Sequence, residues 1–543
     1  MITPYSIDIT GAGGNRNMMR RCFFAAFLCF FLLLSGCSGQ SQNNISRYDI
    51  PAPIANLDPQ YAMESSAHMI IRNLYEGLLI QAPDGTLHPG AAESWNISGD
   101  GLTYTFTLRD GLVWPDKEST PITAQDFQFA FERMFNPSSP SPYAMNYSAI
   151  QNAGKILAGQ EALSSLGVQS RDNTLTFSLD RPDPQLLQRL SEPPAMPCSR
   201  SFFNECRGRY GLEKNYVLGN GPFRISGWNN QKSILLRRNE QYLSELPAVA
   251  EGVDFYIARE EPAKLLEDGK ADLAEVDSVE VANLSRKGMN IFPYNKSVWC
   301  IALRADDPVW KMVLLRQALA ISLDRSVMEE SLSYGFAVTD NLVTTELLLA
   351  DQPYDSFKKT VRSPEYNYAN AVSYFSDGLS ALDLPKMPAT EILIPDDDMH
   401  VLLIGHVQRA WQRGLGFFPN IRRLDEATLE SRFYSGDYQI MLIPITTSSS
   451  QVSDMLAGFL SENSFGGYRN IFYDSFYRDA ALAPTLPEAA IGYAHAQSQL
   501  LFDAALIPLY RETGYYALSP GWEGFWIYPQ NGCVYFKYAQ YTG

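Results

Sequence analysis

Histidine is scarce, five in 543 residues, which leaves little material for imidazole metal sites. Basic charge is in deficit too. With 43 Lys and Arg against 60 Asp and Glu, the net charge of −17 excludes the clustered cations that a nucleic-acid binder needs. The longest apolar run is shorter than the about 18–20 residues that span a bilayer. No HExxH, GxSxG, Walker-A or GxGxxG element occurs after residue 37, and no CxxC pair occurs anywhere. The glycines at Gly11, Gly13 and Gly14 lie ahead of the apolar run. His68, His88, His400, His406 and His495 are scattered, and His400 and His406 fall six apart, too far to chelate from one helix. Asp396-Asp397-Asp398 reads as a solvated loop, because one contiguous triplet lacks the converging oxygens that calcium needs. No cofactor, no metal and no enzyme are signalled.

What is present is globular: 45% hydrophobic and 19% charged residues. At about 100–200 residues per domain the length implies about three domains or large lobes. Arg20 and Arg21 precede thirteen apolar residues, Cys22 to Leu34, and then Ser35-Gly36-Cys37. This has signal-peptide length, and small residues before a cysteine read as a bacterial lipobox, with cleavage before Cys37 and lipidation of its thiol. Cleavage moves the net charge from −17 to −19. Residues 1–17 lack the character of an n-region, which leaves Met18 and Met19 as alternative starts to Met1. The expected location is extracytoplasmic, lipid-anchored to the membrane, with Ser38 to Ser46 as a polar linker. Of the cysteines that remain, Cys198 and Cys206 are the favoured disulfide pair. Cys300 and Cys533 fit free thiols as well as a bridge.

Periodicity supplies the elements. Met63 to Leu79 reads as a helix, and Leu102 to Arg109 alternates apolar and polar as a half-buried strand. Thr123 caps a helix that Asn136-Pro137 stops, and Leu175 to Leu179 is a strand. Phe223 to Trp228 and Ser233 to Arg237 form a hairpin. From about residue 250 strands alternate with helices: Val253 to Ile257, Pro262 to Glu267, Leu314 to Leu323, Ile392 to Ile394, His400 to Arg413 ended by Gly414, Tyr438 to Ile443, and Ala489 to Phe502. That alternation implies an α/β lobe with a mixed sheet.

Further marks recur in order. They are Leu57-Asp58-Pro59, Asn73-Leu-Tyr-Glu-Gly-Leu-Leu79, Pro89-Gly-Ala-Ala-Glu-Ser-Trp95, Asp100 to Arg109, Trp114 and Ile122-Thr-Ala-Gln-Asp-Phe127. Then come Asn220-Gly-Pro-Phe223, Arg238-Asn239, Tyr242, Gly269-Lys-Ala-Asp272, Arg316-Gln-Ala-Leu319, Asp324-Arg325 and Ile507-Pro-Leu-Tyr510. In this order they resemble the family 5 solute-binding proteins of ABC importers, the oligopeptide- and dipeptide-binding type. Ser141-Pro-Tyr-Ala144 is close to the oligopeptide branch. The resemblance implies an α/β, two-lobed periplasmic-binding-protein fold with mixed sheets, an extra domain inserted in lobe I, and a hinge of two crossovers. Its implied boundaries are lobe I at 38–75, 206–299 and 511–543, the inserted domain at 76–205, and lobe II at 300–510. It further implies a monomer that captures a peptide or muropeptide between the lobes and serves separate permease and ATPase subunits.

The resemblance also implies the site. Met63, Glu64, Ser65 and Ser66 would donate backbone hydrogen bonds, Tyr143 would pack on the ligand, and Trp299 would line the cleft. Thr446, Thr447 and Ser448 would follow the ligand-bearing strand. There the chain departs from the family, because Ser448 stands where members that bind free peptide N-termini carry an aspartate, with Asp454 further on. The expectation is a ligand without an ordinary free amino terminus, such as a cell-wall muropeptide or another blocked solute. Two other readings stay open: a surface lipoprotein for adhesion or signalling, and an exported hydrolase.

Overall fold

The computed structural model describes residues 44–257, 259–357, 361–447, 449–463 and 465–543. The signal segment, Cys37 and Ser448 lie outside the described residues.

One mixed sheet organises the chain. Its strands are β1 (Ile45–Ile50), β6 (Phe223–Asn229), β7 (Ser233–Arg238), β8 (Gly252–Ile257), β9 (Leu273–Val276), β10 (Asn290–Leu303), β11 (Phe336–Val338), β12 (Glu391–Pro395), β13 (Asn420–Leu424), β14 (Ile440–Ile445) and β15 (Leu506–Leu518). Their order is β13-β12-β14-β10-β15-β9-β1-β8-β7-β6, with β11 pairing β15. β1 starts inside the stretch read as linker.

A second, four-stranded antiparallel sheet, ordered β2-β3-β5-β4, is built from β2 (Ala92–Ile97), β3 (Thr103–Leu108), β4 (Val168–Arg171) and β5 (Thr174–Ser178). The buried residues of its core, among them Phe106, Phe127, Phe131 and Phe177, lie between Leu78 and Ala195, and half-buried Leu218 packs against them.

β10 and β15 are long because they are shared. One end of the pair is flanked by β9, from Leu273 opposite Leu518 to Val276 opposite Tyr515, and the other by β14, from Val298 opposite Ile445 to Leu303 opposite Ile440. At the junction, Tyr294 opposite Gly514 and Asn295 opposite Thr513, the ladder is two strands wide, and its register shifts between Asn295 and Ser297. Gly514 is required there, since a Cβ would lie 2.3 Å from the Tyr294 ring. On the β14 side the sheet is buried on both faces. Val298, Cys300 and Ala302 face one apolar cluster, while Ile301 and Leu303 face another. Both-face burial explains the unbroken apolar runs in β10 and β14.

The sequence marks turn out to be fasteners. In α1 (Ser65–Leu74) the helix stops five residues before the expected Leu79, because Tyr75 is extended and Asn220 takes over the next peptide. The Asn220 amide accepts from Glu76 N (2.9 Å) and donates to Glu76 O (2.8 Å). Asp58 pairs with Arg133 of α2 (Ala124–Met134), whose N-terminus Thr123 and Asp126 close as a capping box. Arg47 grips Asp272 through two side-chain hydrogen bonds of 2.9 and 2.6 Å and a third of 2.8 Å from its backbone N. Arg316 of α3 (Val313–Ile321) donates to Asp503 O (2.9 Å), and Arg325 donates to Pro508 O (2.8 Å).

Three expectations need correction. Cys198 and Cys206 are free thiols, both buried in one cluster with Phe129 and Tyr210, so the expected bridge is not formed. The Cys198 sulfur instead meets Arg133 Nη1 at 3.5 Å. The helix α4 (Asp398–Leu415) ends at Gly416, whose φ of +66° supplies the left-handed cap, and not at Gly414. The third needs only an addition: Asp396, Asp397 and Asp398 are solvated as expected, but Asp397 is also the helix cap, accepting from His400 N at 3.0 Å.

Glu76 is buried with Lys537, 3.7 Å from its ammonium, and both bond to the Tyr242 hydroxyl. Burial pushes the Lys537 ammonium down to about 8 against the pull of Glu76. Lys537→Met leaves Glu76 a lone buried carboxylate and should cost about 3–5 kcal/mol in urea unfolding. Adding Glu76→Gln should recover much of it. A single-variant loss below about 1 kcal/mol contradicts this reading.

Candidate functional site

Two cavities lie along the chain that leaves β14. The first, about 170 Å³, is walled by His68, Tyr143, Asn146, Arg189 and Glu192 on one side and by Ser449, Asp454 and Ala457 on the other. The second, about 460 Å³, lies between β14 and the helix α5 (Glu426–Ser435), with Trp299, Pro395 and Phe465 completing it.

Tyr143 is fixed by its hydroxyl, which donates to Ala62 O at 2.6 Å. His68 Nε2 lies 2.8 Å from the same oxygen and 3.0 Å from Tyr143 Oη. A carbonyl oxygen only accepts, so Nε2 carries the hydrogen that points at Ala62 O. Burial holds His68 down at about 4.

The charges of the first cavity are mostly spent internally. Arg72 pairs with Glu192, and Arg189 Nη1 lies 2.6 Å from Asp183 Oδ2. Asp454, on α6 (Val452–Ala457), has no ion-pair partner among the described residues. Asn146 Nδ2 donates to its Oδ1 at 3.4 Å. Burial raises its pKa, while a hydrogen bond with Ser449 and the charge of Arg189 pull it back.

In the second cavity Trp299 is half-buried, stacked at 25° on Tyr510 with ring centroids 6.2 Å apart. Its Nε1 donates to Glu512 Oε2 at 2.8 Å. Glu512 also lies 3.0 Å from Lys296, which reaches Glu275 at 3.2 Å. One carboxylate therefore holds a cavity wall and the two-strand neck together. β12 pairs β14 only at Ile440 and Met441, so on that side Leu442 to Ile445 have no strand partner among the described residues.

The expected site residues divide. Tyr143 lines the first cavity and Trp299 the second. Met63, Glu64 and Ser65 are exposed and Ser66 half-buried at the start of α1, outside both walls. Thr446 is exposed between the cavities, and Thr447 Oγ1 donates to Ser449 O (3.0 Å) in a local turn. Asp454, which the sequence left beside the expected anchor, faces the first cavity. Glu426 and Glu430, which line the second cavity, were missed; their signal was an acidic pair four apart on a helix that leads into β14.

Two halves joined by a paired-strand neck, with the first cavity where they meet, define a two-lobed binding protein. The family model described as Bacterial extracellular solute-binding proteins, family 5 Middle, matches residues 86–467, and the chain belongs to that family. Its members bind solutes outside the cytoplasm and are not enzymes. One relative is the Probable deoxycholate-binding periplasmic protein YgiS of Escherichia coli K12, 25% identical over 91% of this chain and 92% of its own. Another is the Oligopeptide-binding protein OppA of Bacillus subtilis 168, 24% identical over 95% and 98%.

Among solved structures, Listeria monocytogenes OppA bound to peptide superposes with TM-score 0.76 at 21% identity, over 93% of this chain and 100% of that one. The Escherichia coli murein tripeptide binding protein MppA gives 0.76 at 23% identity, over 93% and 99%. The unliganded open form of MppA gives 0.64 at 22% identity, over 92% and 98%. Within the chain, hydrogen bonds cross between the halves: Gln185 Nε2 donates to Tyr493 Oη (3.3 Å), and Ser450 Oγ to Gln81 Oε1 (3.2 Å).

In the unfolded chain His68 takes up a proton near about 6.5, whereas in the fold it does so only near about 4. Stability is therefore lost as pH falls through that window, by up to about 3 kcal/mol. Urea unfolding at about pH 7 and about pH 4.5 should show a larger loss in the wild type than in His68→Asn. Equal losses contradict a neutral, buried His68.

Proposed function

We propose that this protein captures extended peptides with a free amino terminus between its lobes and delivers them to an ABC importer. The observation that carries the ligand class is Asp454, a carboxylate on the wall of the first cavity whose neighbouring cations, Arg72 and Arg189, are already paired. A peptide ammonium supplies the missing cation and gains a charge-assisted hydrogen bond. This revises the expectation drawn from Ser448. From that anchor the main chain runs antiparallel to β14 along its unpaired edge, adding a strand. A murein peptide that keeps its amine belongs to the same class. An anion such as deoxycholate, which names one relative, would meet Asp454 unfavourably.

The boundaries 38–75, 206–299 and 511–543 for lobe I, 76–205 for the inserted domain and 300–510 for lobe II accord with β10 and β15 as the two crossovers. Lipid on Cys37 holds the receptor at the membrane and raises its effective concentration near separate permease and ATPase subunits.

Calorimetry with tetra-alanine and its N-acetylated form tests this. The free amine should bind about ten- to a hundredfold tighter, and Asp454→Asn should remove that advantage. Equal affinities overturn the amine anchor, and no binding of either peptide overturns the ligand class. Because burial raises the Asp454 pKa, affinity should fall on acidification at a higher pH than an exposed aspartate would give, and Asp454→Asn should flatten that profile. A profile unchanged by the substitution contradicts the assignment.

A further inference from the structure

Glu426 and Glu430 stand one helical turn apart on α5, and both line the larger cavity. Like charges at this spacing repel. Nearby cations are committed elsewhere: Arg422 to Glu391, Arg423 to Asp396 and Asp398, Arg432 to Asp437. Neither glutamate has an ion-pair partner among the described residues. The rest of the wall is apolar, with Leu429 and Phe433 from the same helix and Ile445 from the unpaired strand edge. Tyr434, 78% exposed, brings an aromatic ring to the same wall.

Both carboxylates are exposed, so a purely apolar occupant would cover the apolar wall but displace their water without offering a partner. A small cation would satisfy the carboxylates and leave the apolar surface uncovered. We infer that this cavity takes from the ligand a side chain with an apolar stem and a cationic end, as lysine and arginine have. The stem packs on Leu429, Phe433 and Ile445, and the charge is shared by Glu426, Glu430 and the face of the Tyr434 ring. The cavity adjoins the strand edge along which the ligand main chain is proposed to run, so the inference rests on the peptide-capture reading.

The test compares tetra-alanine peptides carrying lysine at the second, third or fourth position with the same peptides carrying norleucine, which keeps the stem and lacks the charge. Calorimetry on the whole protein should show lysine about three- to tenfold tighter than norleucine at one of these positions. Raising the ionic strength should shrink that ratio. Glu426→Gln combined with Glu430→Gln should bring it close to one, with a thermal melt establishing that the variant is folded. The salt dependence in the wild type decides the question if the variant is not. Equal lysine and norleucine affinities at all three positions, or a ratio that survives the double substitution, overturn the inference and leave peptide capture standing. Failure of every peptide to bind overturns both.

Discussion

The chain itself passes between the two halves through one antiparallel pair, β10 and β15. Where that pair leaves the β9 side and has not yet met β14, it is two strands wide and shifted in register. A bulged, two-strand ribbon twists and bends far more easily than a wide sheet, so relative motion of the halves concentrates there. Glu512 sits in that ribbon and takes both Lys296 and the Trp299 indole. The same side chain therefore feels the ribbon's geometry and the wall of the larger cavity. The contacts across the halves, Asn146 to Asp454, Gln185 to Tyr493 and Ser450 to Gln81, are few, each worth about 1 kcal/mol. A ligand that touches both walls adds to them and biases the equilibrium toward closure.

The electrostatics of the interior sort into pairs that hold the fold and charges left over. Asp58 with Arg133, Glu192 with Arg72, Asp183 with Arg189 and Glu76 with Lys537 are buried couples whose value lies in the cost of breaking them. Asp454, Glu426 and Glu430 have no ion pair among the described residues, and all three face cavities.

Much of the fold was legible because it is written locally. Alternation from Leu102 to Arg109 gave β3, and Thr123 with Asp126 marked the start of α2. The ordered marks were legible as a family signature. Their roles were not, since Asn220 meets Glu76, and Asp272 meets Arg47, only through the tertiary fold. The same reason explains the overlong reading of α1: its apolar period continues through Leu78 and Leu79, and only the Asn220 contact breaks it. Tyr143 and Trp299 were reached through resemblance. Asp454 and the α5 glutamates were not, because an acidic residue on a helix looks the same in sequence whether it meets solvent or a cavity.

The most direct test of the central claim is native mass spectrometry of the purified protein, followed by denaturation and identification of what is released. The account predicts bound peptides with free amino termini, enriched at one internal position in lysine or arginine. Release of N-blocked peptides or of non-peptide solutes would contradict it.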